Sequence, residues 1–450
     1  MRQGRHTGQG GWMMRPALAS VMVLVLSGCL SQGGGVDDDR VSRMLMPDAA
    51  PLTEGLNAGD AGGQTSDLLN DLMARRSALP QGSALGHVAG AVLIDETRAA
   101  GADLRGARLR ARAQSRNWLP SVGPQVSLSS LGSVVALLVV EQVLFDNGRK
   151  LAERDFAKAD VEVAAVALVQ DSNDRVLAAL TLYLSAREAQ DKAALAAKAA
   201  RDMAHFEWIM SERVAGGISD RSDLQVLRQK LAEIRASQQT ESEAAAAALA
   251  ELAAMGVRIA DVPEQADFAP LSLPSPAPVP LSVRLAEAEL ARAGARARVE
   301  RAGFLPGLTA TGALGRNAPD PTVDLRMARP LGFGTADDLR ALDAATEGER
   351  RKVDQAREEA NRRLRRLEQE RAALARQASD AAALSGRAKA NLDLFQIQYD
   401  EGQRQVMDVV GLYEQFARQQ QAAATLRYRA VLTEVQIAAA LGLLADGDRL

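Results

Sequence analysis

Apolar and polar positions along this chain follow two periods, and the periods occur in the same order twice. Between Gln125 and Ser130 every second residue is apolar, with Val126 and Leu128 on one side and Ser127 and Ser129 on the other, which predicts a strand. Leu131-Gly132-Ser133 reads as a tight turn, and Val134 to Leu144 as the returning strand, although Val134 to Val140 is apolar on both faces and breaks the alternation. Much later, Val323, Leu325 and Met327 alternate with Asp324 and Arg326. Helical periodicity dominates elsewhere. It runs from Val88 to Asn117, where Pro120 stops it, then almost unbroken from Lys150 to Met210 and from Thr335 to about Gln398. A helix of sixty residues is about 90 Å long at ~1.5 Å per residue, a rod that no ordinary globular domain needs.

The two series are copies. Trp118-Leu119-Pro120-Ser121-Val122 reappears as Phe304-Leu305-Pro306-Gly307-Leu308, and 306 − 120 = 186. Leu144 to Gly148 reappears as Pro330 to Gly334, and 334 − 148 = 186. Gly217, six residues before Asp223, reappears as Gly402, six before Asp408, at 402 − 217 = 185. A constant offset marks duplication of one structural unit. Each copy reads as helix, two strands, a very long helix, a turn and another long helix. The last helix carries a heptad, with Val409, Phe416, Ala423, Ala430 and Ile437 in one row and Leu412, Gln419, Leu426, Thr433 and Ala440 in the next. That period calls for a coiled-coil neighbour.

This divides the chain into a cleaved leader (1–28), a flexible extension (29–87), repeat 1 (88–262), a Pro-rich connector (263–280) and repeat 2 (281–445). The leader has Arg2, Arg5 and Arg15 ahead of an apolar run from Ala17 to Leu26, too short to span a membrane as a helix, with Met13 or Met14 as alternative starts. The single cysteine, Cys29, ends Leu26-Ser27-Gly28-Cys29, which resembles a bacterial lipobox. That resemblance implies acylation of the thiol, cleavage before it and, with Leu30 following, an outer-membrane destination. The covalent lipid on Cys29 is the only prosthetic group expected; no cofactor or metal is.

Composition removes other functions. Net charge is −3, so nucleic acid is not an expected partner, and the run Arg362-Arg363-Leu364-Arg365-Arg366 has Glu358, Glu359, Glu368 and Glu370 at helical spacing. Aromatics make up 3 % of the chain. His6, His87 and His205 are far apart, and no phosphate-binding glycine loop or metal-ligand spacing occurs, so an enzyme is not expected.

Four short strands cannot close a membrane barrel, because an open edge in lipid leaves backbone groups unpaired. Two chains would pool eight strands and three chains twelve, the latter wide enough for water. At this point the residues resemble a family. The aromatic-Leu-Pro approach to the first strand, the exit Gln142-Val143-Leu144-Phe145-Asp146-Asn147-Gly148, the glycine turns between long helices and the ending Leu432 to Ala440 with Leu441-Gly442 are together similar to TolC-like outer-membrane efflux proteins. The resemblance covers about 88–443. It implies a mainly α chain with a small β part: a homotrimer whose four strands per chain form a twelve-stranded outer-membrane barrel, continued by a periplasmic coiled-coil tunnel. It also implies a passive duct for efflux or type I secretion, working with a periplasmic adaptor and an inner-membrane pump. The alternative is a periplasmic coiled-coil adaptor lipoprotein, which should carry one helical hairpin flanked by β-rich modules rather than two hairpins.

The resemblance also assigns residues. Tyr399 and Arg404 match positions that tie the long helices together at a periplasmic gate, with Ser222 and Asp223 as their partners. Asp408 matches an acidic ring at the aperture, and Gly411 stands where a second acidic ring is found. Independently of it, Gly217 and Gly402 are expected in left-handed backbone at the reversals. Trp118, Phe145, Phe304 and Phe333 fall at one end of the four strands, as an aromatic girdle at a membrane interface would.

Overall fold

The structure, a computed structural model, describes residues 66–94, 99–128, 134–263, 268–315 and 318–449. Cys29, the leader and the turn at 131–133 lie outside the described residues. Helices α1 (Asp67–Ala74), α2 (Ala84–Leu93) and α3 (Ala99–Ser115) lead to strands β1 (Ser121–Leu128) and β2 (Val134–Phe145). The hairpin of α4 (Arg149–Ala215) and α5 (Arg221–Ala254) follows. The second half gives α6 (Leu281–Ala302), β3 (Pro306–Leu314), β4 (Thr322–Met327), α7 (Thr335–Asp400) and α8 (Val406–Ala440). Shifting the first half by 186 residues superposes the starts of α4 and α7 (335 − 149 = 186) and the ends of α5 and α8 (440 − 254 = 186). The duplication is therefore one of elements as well as of motifs.

Helices α4 and α7 contain 67 and 66 residues, about 100 Å each. Their returning partners α5 and α8 contain 34 and 35 and cover only the half nearer the turn. The other half of α4 is packed by α3 and α6. All four hairpin helices end in the same way. The amide of Gly217 donates to Val214 O (3.1 Å) and that of Ile218 to Arg213 O (2.8 Å); Gly402 donates to Tyr399 O (2.9 Å) and Gln403 to Gln398 O (2.8 Å). At the opposite ends Gly256 donates to Ala253 O and Val257 to Leu252 O, and Gly442 to Ala439 O and Leu443 to Ala438 O. These are Schellman pairs, and each needs a left-handed residue: Gly217 and Gly402 sit at φ +74° and +76°. Gly256 and Gly442, also 186 apart, are a further landmark of the repeat that the sequence reading did not use.

A belt of short elements grips the middle of the long helices, and here the expected flexible extension is corrected. Residues 66–87 are folded, not a tether: Ser66 caps α1, Ser83 caps α2, and Leu72, Leu85 and Val88 are fully buried. The expected helix over 88–117 is likewise two helices, α2 already ending at Leu93. A buried arginine joins the belt. Arg75 Nη1 donates to Leu441 O (2.7 Å) at the end of α8, and Nη2 donates to Asp71 (2.9 Å) and to Val279 O (2.8 Å) in the connector. Asn173 on α4 accepts the amide of Leu444 (2.8 Å), so the chain's last turn is fixed to the first long helix. The Pro-rich connector runs along this core, with Leu271 and Leu273 packed on it and Phe268 edge-on to Tyr428 at 5.8 Å.

Candidate functional site: an apolar sheet face and the hairpin tips

The four strands form one antiparallel sheet in the order β1-β2-β3-β4, so strands far apart in sequence meet at the β2–β3 seam. Register fixes which side chains share a face, because directly opposed residues point the same way. Val122 faces Val140, Val126 faces Ala136 and Leu138 faces Leu314; Leu308 faces both Phe145 and Leu325, Ala310 faces Val323, and Pro306 faces Met327. That face is apolar from β1 to β4 except for Gln142, opposite Ala310, and it is bare: Val126, Val323 and Leu325 are 64 %, 63 % and 68 % exposed. On the other face Ser121 opposes Glu141, Glu141 opposes Thr311, Thr309 opposes Asp324 and Gly307 opposes Arg326. Leu137 and Val139, and further along Val143, also lie on the polar side, which is why β2 alone reads as apolar on both faces. The outer edges of β1 and β4 carry no partner strand among the described residues.

The junction between sheet and helices is locked by polar groups. Asp146 accepts the amides of Gly148 (3.1 Å) and Lys150 (2.6 Å), capping α4, while Asn147 reaches across the seam to Pro306 O (2.9 Å). Of the four aromatics expected as a girdle, Trp118, Phe145 and Phe333 are exposed at this end of the sheet. Phe304 is not: it is buried, with the Arg329 guanidinium over its ring at 5.5 Å, so within the chain it is a packing residue.

At the far end the two turns lie beside one apolar cluster that includes Met203, Phe206, Met210, Leu227, Leu392, Val409, Tyr413 and Phe416. Tyr399 is half-buried against it. Each turn is braced by one arginine. In the first, Arg213 Nε donates to Ser219 Oγ (3.1 Å); in the second, Arg404 Nε donates to Gln398 Oε1 (3.0 Å), with the guanidinium 4.4 Å from the Phe395 ring. Gln398 and Arg404 are the 185-residue counterparts of Arg213 and Ser219, so one brace exists in both copies with its arginine on opposite sides of the turn. Arg404 is thus held within its own hairpin. Among the described residues neither it nor Tyr399 bonds to Ser222 or Asp223, which stand exposed and half-buried in the first turn of α5. Asp408 is exposed and accepts the backbone N–H of Gln405 (3.3 Å) as half of a capping box that starts α8. That contact leaves its charge at the tip surface, where the positive end of the helix dipole favours it.

Sequence reading missed the seam between α4 and α8. Tyr413 donates to Asp202 (2.5 Å), Tyr428 and Arg427 both donate to Asp191 (2.7 and 2.6 Å), and Thr425 donates to Glu188 (2.8 Å). Burial first, and then the bond to Asp202, holds the Tyr413 phenol well above its ordinary range. Burial and Asp191, partly offset by Arg427, push Tyr428 up to about 12. The only advance signal was the periodicity that aligned Tyr413 and Tyr428 near the heptad seam. The Arg362–Arg366 run is exposed apart from Leu364, with Arg362 near Glu358 (3.7 Å). Among the described residues no helix is long and apolar enough to cross a membrane.

No protein-family model and no curated protein matches the sequence. Solved structures do match in fold. A membrane protein from Pseudomonas aeruginosa aligns over 82 % of this chain and 96 % of its own at TM-score 0.69 and 18 % identity. The outer membrane protein VceC from Vibrio cholerae aligns over 80 % and 96 % at TM-score 0.67 and 17 % identity. The CmeC outer membrane channel of Campylobacter jejuni aligns over 88 % and 95 % at TM-score 0.66 and 13 % identity. At these identities the likeness is one of architecture, and the chain has the fold of TolC-like outer-membrane channels.

Proposed function

We propose that the protein is the outer-membrane exit duct of an efflux or type I secretion assembly, a homotrimer in which three sheets close a twelve-stranded barrel and three pairs of helical hairpins continue it as a periplasmic tunnel. The sheet carries this reading. It is apolar across one face but for Gln142 and has no partner strand at either edge among the described residues, which suits lipid on one side, water on the other and a neighbouring strand at each end. Cys29 anchors the chain to the same membrane through its lipid. The hairpin tips form the periplasmic gate, with three Asp408 carboxylates around the aperture, and Tyr399 and Arg404 meet Ser222 and Asp223 there across hairpins of the closed trimer. A periplasmic adaptor and an inner-membrane pump complete the assembly. An adaptor role for this chain is disfavoured by its two hairpins and the lack of flanking β-rich modules among the described residues.

The test contrasts the two faces of the sheet. An arginine at a lipid-facing barrel position costs about 2–4 kcal/mol near the bilayer midplane, and little in a water-filled lumen. Leu325→Arg is therefore expected to abolish recovery of trimers from the outer-membrane fraction, and Thr309→Arg to leave recovery intact. Equal recovery of both variants would remove the barrel assignment.

A further inference from the structure

The exposed positions of α8 fall in one straight stripe: Asp408, Gly411, Gln415, Arg418, Ala422 and Arg429. Their spacing is the ~3.5-residue repeat that leaves the opposite seam, from Val409 to Ile437, turned into the protein. The stripe contains no large apolar side chain. Exposed apolar residues lie elsewhere, at Trp208, Ile218 and Val226 on the first hairpin and at Leu384, Leu394 and Ile397 on α7. Cores of protein interfaces are poor in charge, so the apolar positions suit neighbouring chains and the stripe suits water. On the duct reading, on which this inference rests, the water beside Asp408 is the pore.

Along the stripe the charge changes sign. Arg418 and Arg429 lie 10 and 21 residues beyond Asp408, about 15 and 32 Å along the helix. Neither is neutralised by its own helix. The acid four residues before Arg418 is Glu414, which is engaged by Lys230 of α5. The positions three and four away from Arg429 hold Leu426, Thr425, Leu432 and Thr433. Among the described residues neither guanidinium makes a hydrogen bond or ion pair. The spacings exceed the screening length of about 8 Å at physiological salt, so the acid and the two cations act as separate stations and do not cancel.

We propose that the pore reverses sign above its aperture: behind three Asp408 stand a ring of three Arg418 and a ring of three Arg429, which bind small multivalent anions carrying carboxylate or phosphate groups. The duct then selects twice, against anions at the tip and for them just inside it.

The experiment measures reversal potential across planar bilayers in a KCl gradient for the trimer, Asp408→Ala, Arg418→Glu and Arg429→Glu, and current block by citrate for the trimer, Arg418→Gln and Arg429→Gln. Both arginines are exposed, so these variants keep the fold. Each Glu variant is expected to raise the K⁺/Cl⁻ permeability ratio roughly threefold, and each Gln variant to weaken citrate block by a similar factor. If Asp408→Ala shifts selectivity while the arginine variants change neither quantity, the arginine rings are overturned and the gate stands. If channels conduct but no variant changes anything, the stripe does not face the pore. A trimer that conducts no ions even with Arg404→Ala, which unlatches the proposed gate, overturns both this proposal and the duct.

Discussion

Replacing Arg75 by Met tests whether the belt is one cooperative unit. Arg75 is 4 % exposed and links the end of α8, the connector and α1 through three hydrogen bonds of 2.7–2.9 Å. Met matches the length and apolar stem but offers no donor, so Leu441 O and Val279 O lose their partner. Breaking a buried charged contact by removing one side costs about 3–5 kcal/mol. The lower end applies, because Asp71 keeps a second cation in Arg284 at 3.1 Å and is not left as a bare buried charge. A loss of about 3 kcal/mol is roughly a hundredfold in an opening equilibrium, at ~1.4 kcal/mol per decade. The assay is amide hydrogen exchange of the detergent-solubilised protein, read at Gly442, Leu443 and Leu444, whose N–H groups bond to Ala439 O, Ala438 O and Asn173. Exchange there is expected to accelerate by about two decades, while the hairpin tips, some 50 Å away by helix length, stay unchanged. Unaltered exchange at these three amides, or equal acceleration at the tips, would refute the reasoning.

Other expectations follow from the same geometry. Asp408→Ala should raise single-channel conductance or lower cation selectivity in bilayers, since it removes three carboxylates from the proposed aperture; no change in either would dismiss the gate assignment. Gly402→Ala, at φ +76°, should cost about 1 kcal/mol through left-handed strain, seen as faster exchange at Gln403, whereas Gly411→Ala in mid-helix should stabilise by a similar amount. In an alkaline titration followed by phenolate absorbance, Tyr413, Tyr428 and Tyr183 should ionise late, because burial raises all three. The native state then keeps protons that the unfolded chain releases above pH ~10, so stability is complete below that value and falls as pH rises towards 12. Asp202→Asn should bring one phenol back towards the ordinary range, and an unchanged titration curve would show that the Tyr413–Asp202 bond is not made.

The long helices, the strands and the offset of 186 were legible because each rests on local pattern: periodicity, a helix-stopping proline, a glycine at each reversal. What escaped depended on contacts between segments. The α1 helix has eight residues, too few to hold without tertiary packing, and the Gly-, Asp- and Pro-rich stretch before it masked Leu68, Leu69, Leu72 and Met73. The sidedness of β2 was hidden because Leu137, Val139 and Val143 sit on the polar face, and only the pairing with β1 and β3 shows which neighbours they face. Phe304 repeats Trp118 in sequence, yet Arg329 covers the one and the other remains exposed. Duplication preserves the fold of a position but not its surroundings. At the tips the residue types were read, but their partners were not: an arginine six residues from a Ser or a Gln gives no sign that it will cross a turn.

The brace on Arg404 bears on how the proposed gate would move. Within the chain its guanidinium holds Gln398, a neutral acceptor, and lies against Phe395. Both that bond and one to Asp223 have a charged donor, so the second gains only the increment of an exposed ion pair, about 0–1 kcal/mol. Exchanging Gln398 for Asp223 across hairpins would therefore favour the proposed closed arrangement by at most about 1 kcal/mol in each subunit, or about 3 kcal/mol for three, a population ratio of at most roughly 150. On the proposed gate, a docking partner would need to supply no more than that in differential binding to release the three tips. On the proposed opening Arg404 would return to Gln398, while Asp223 would give up its cation. The first turn has its own brace from Arg213 to Ser219, which takes no part in the exchange proposed for Arg404.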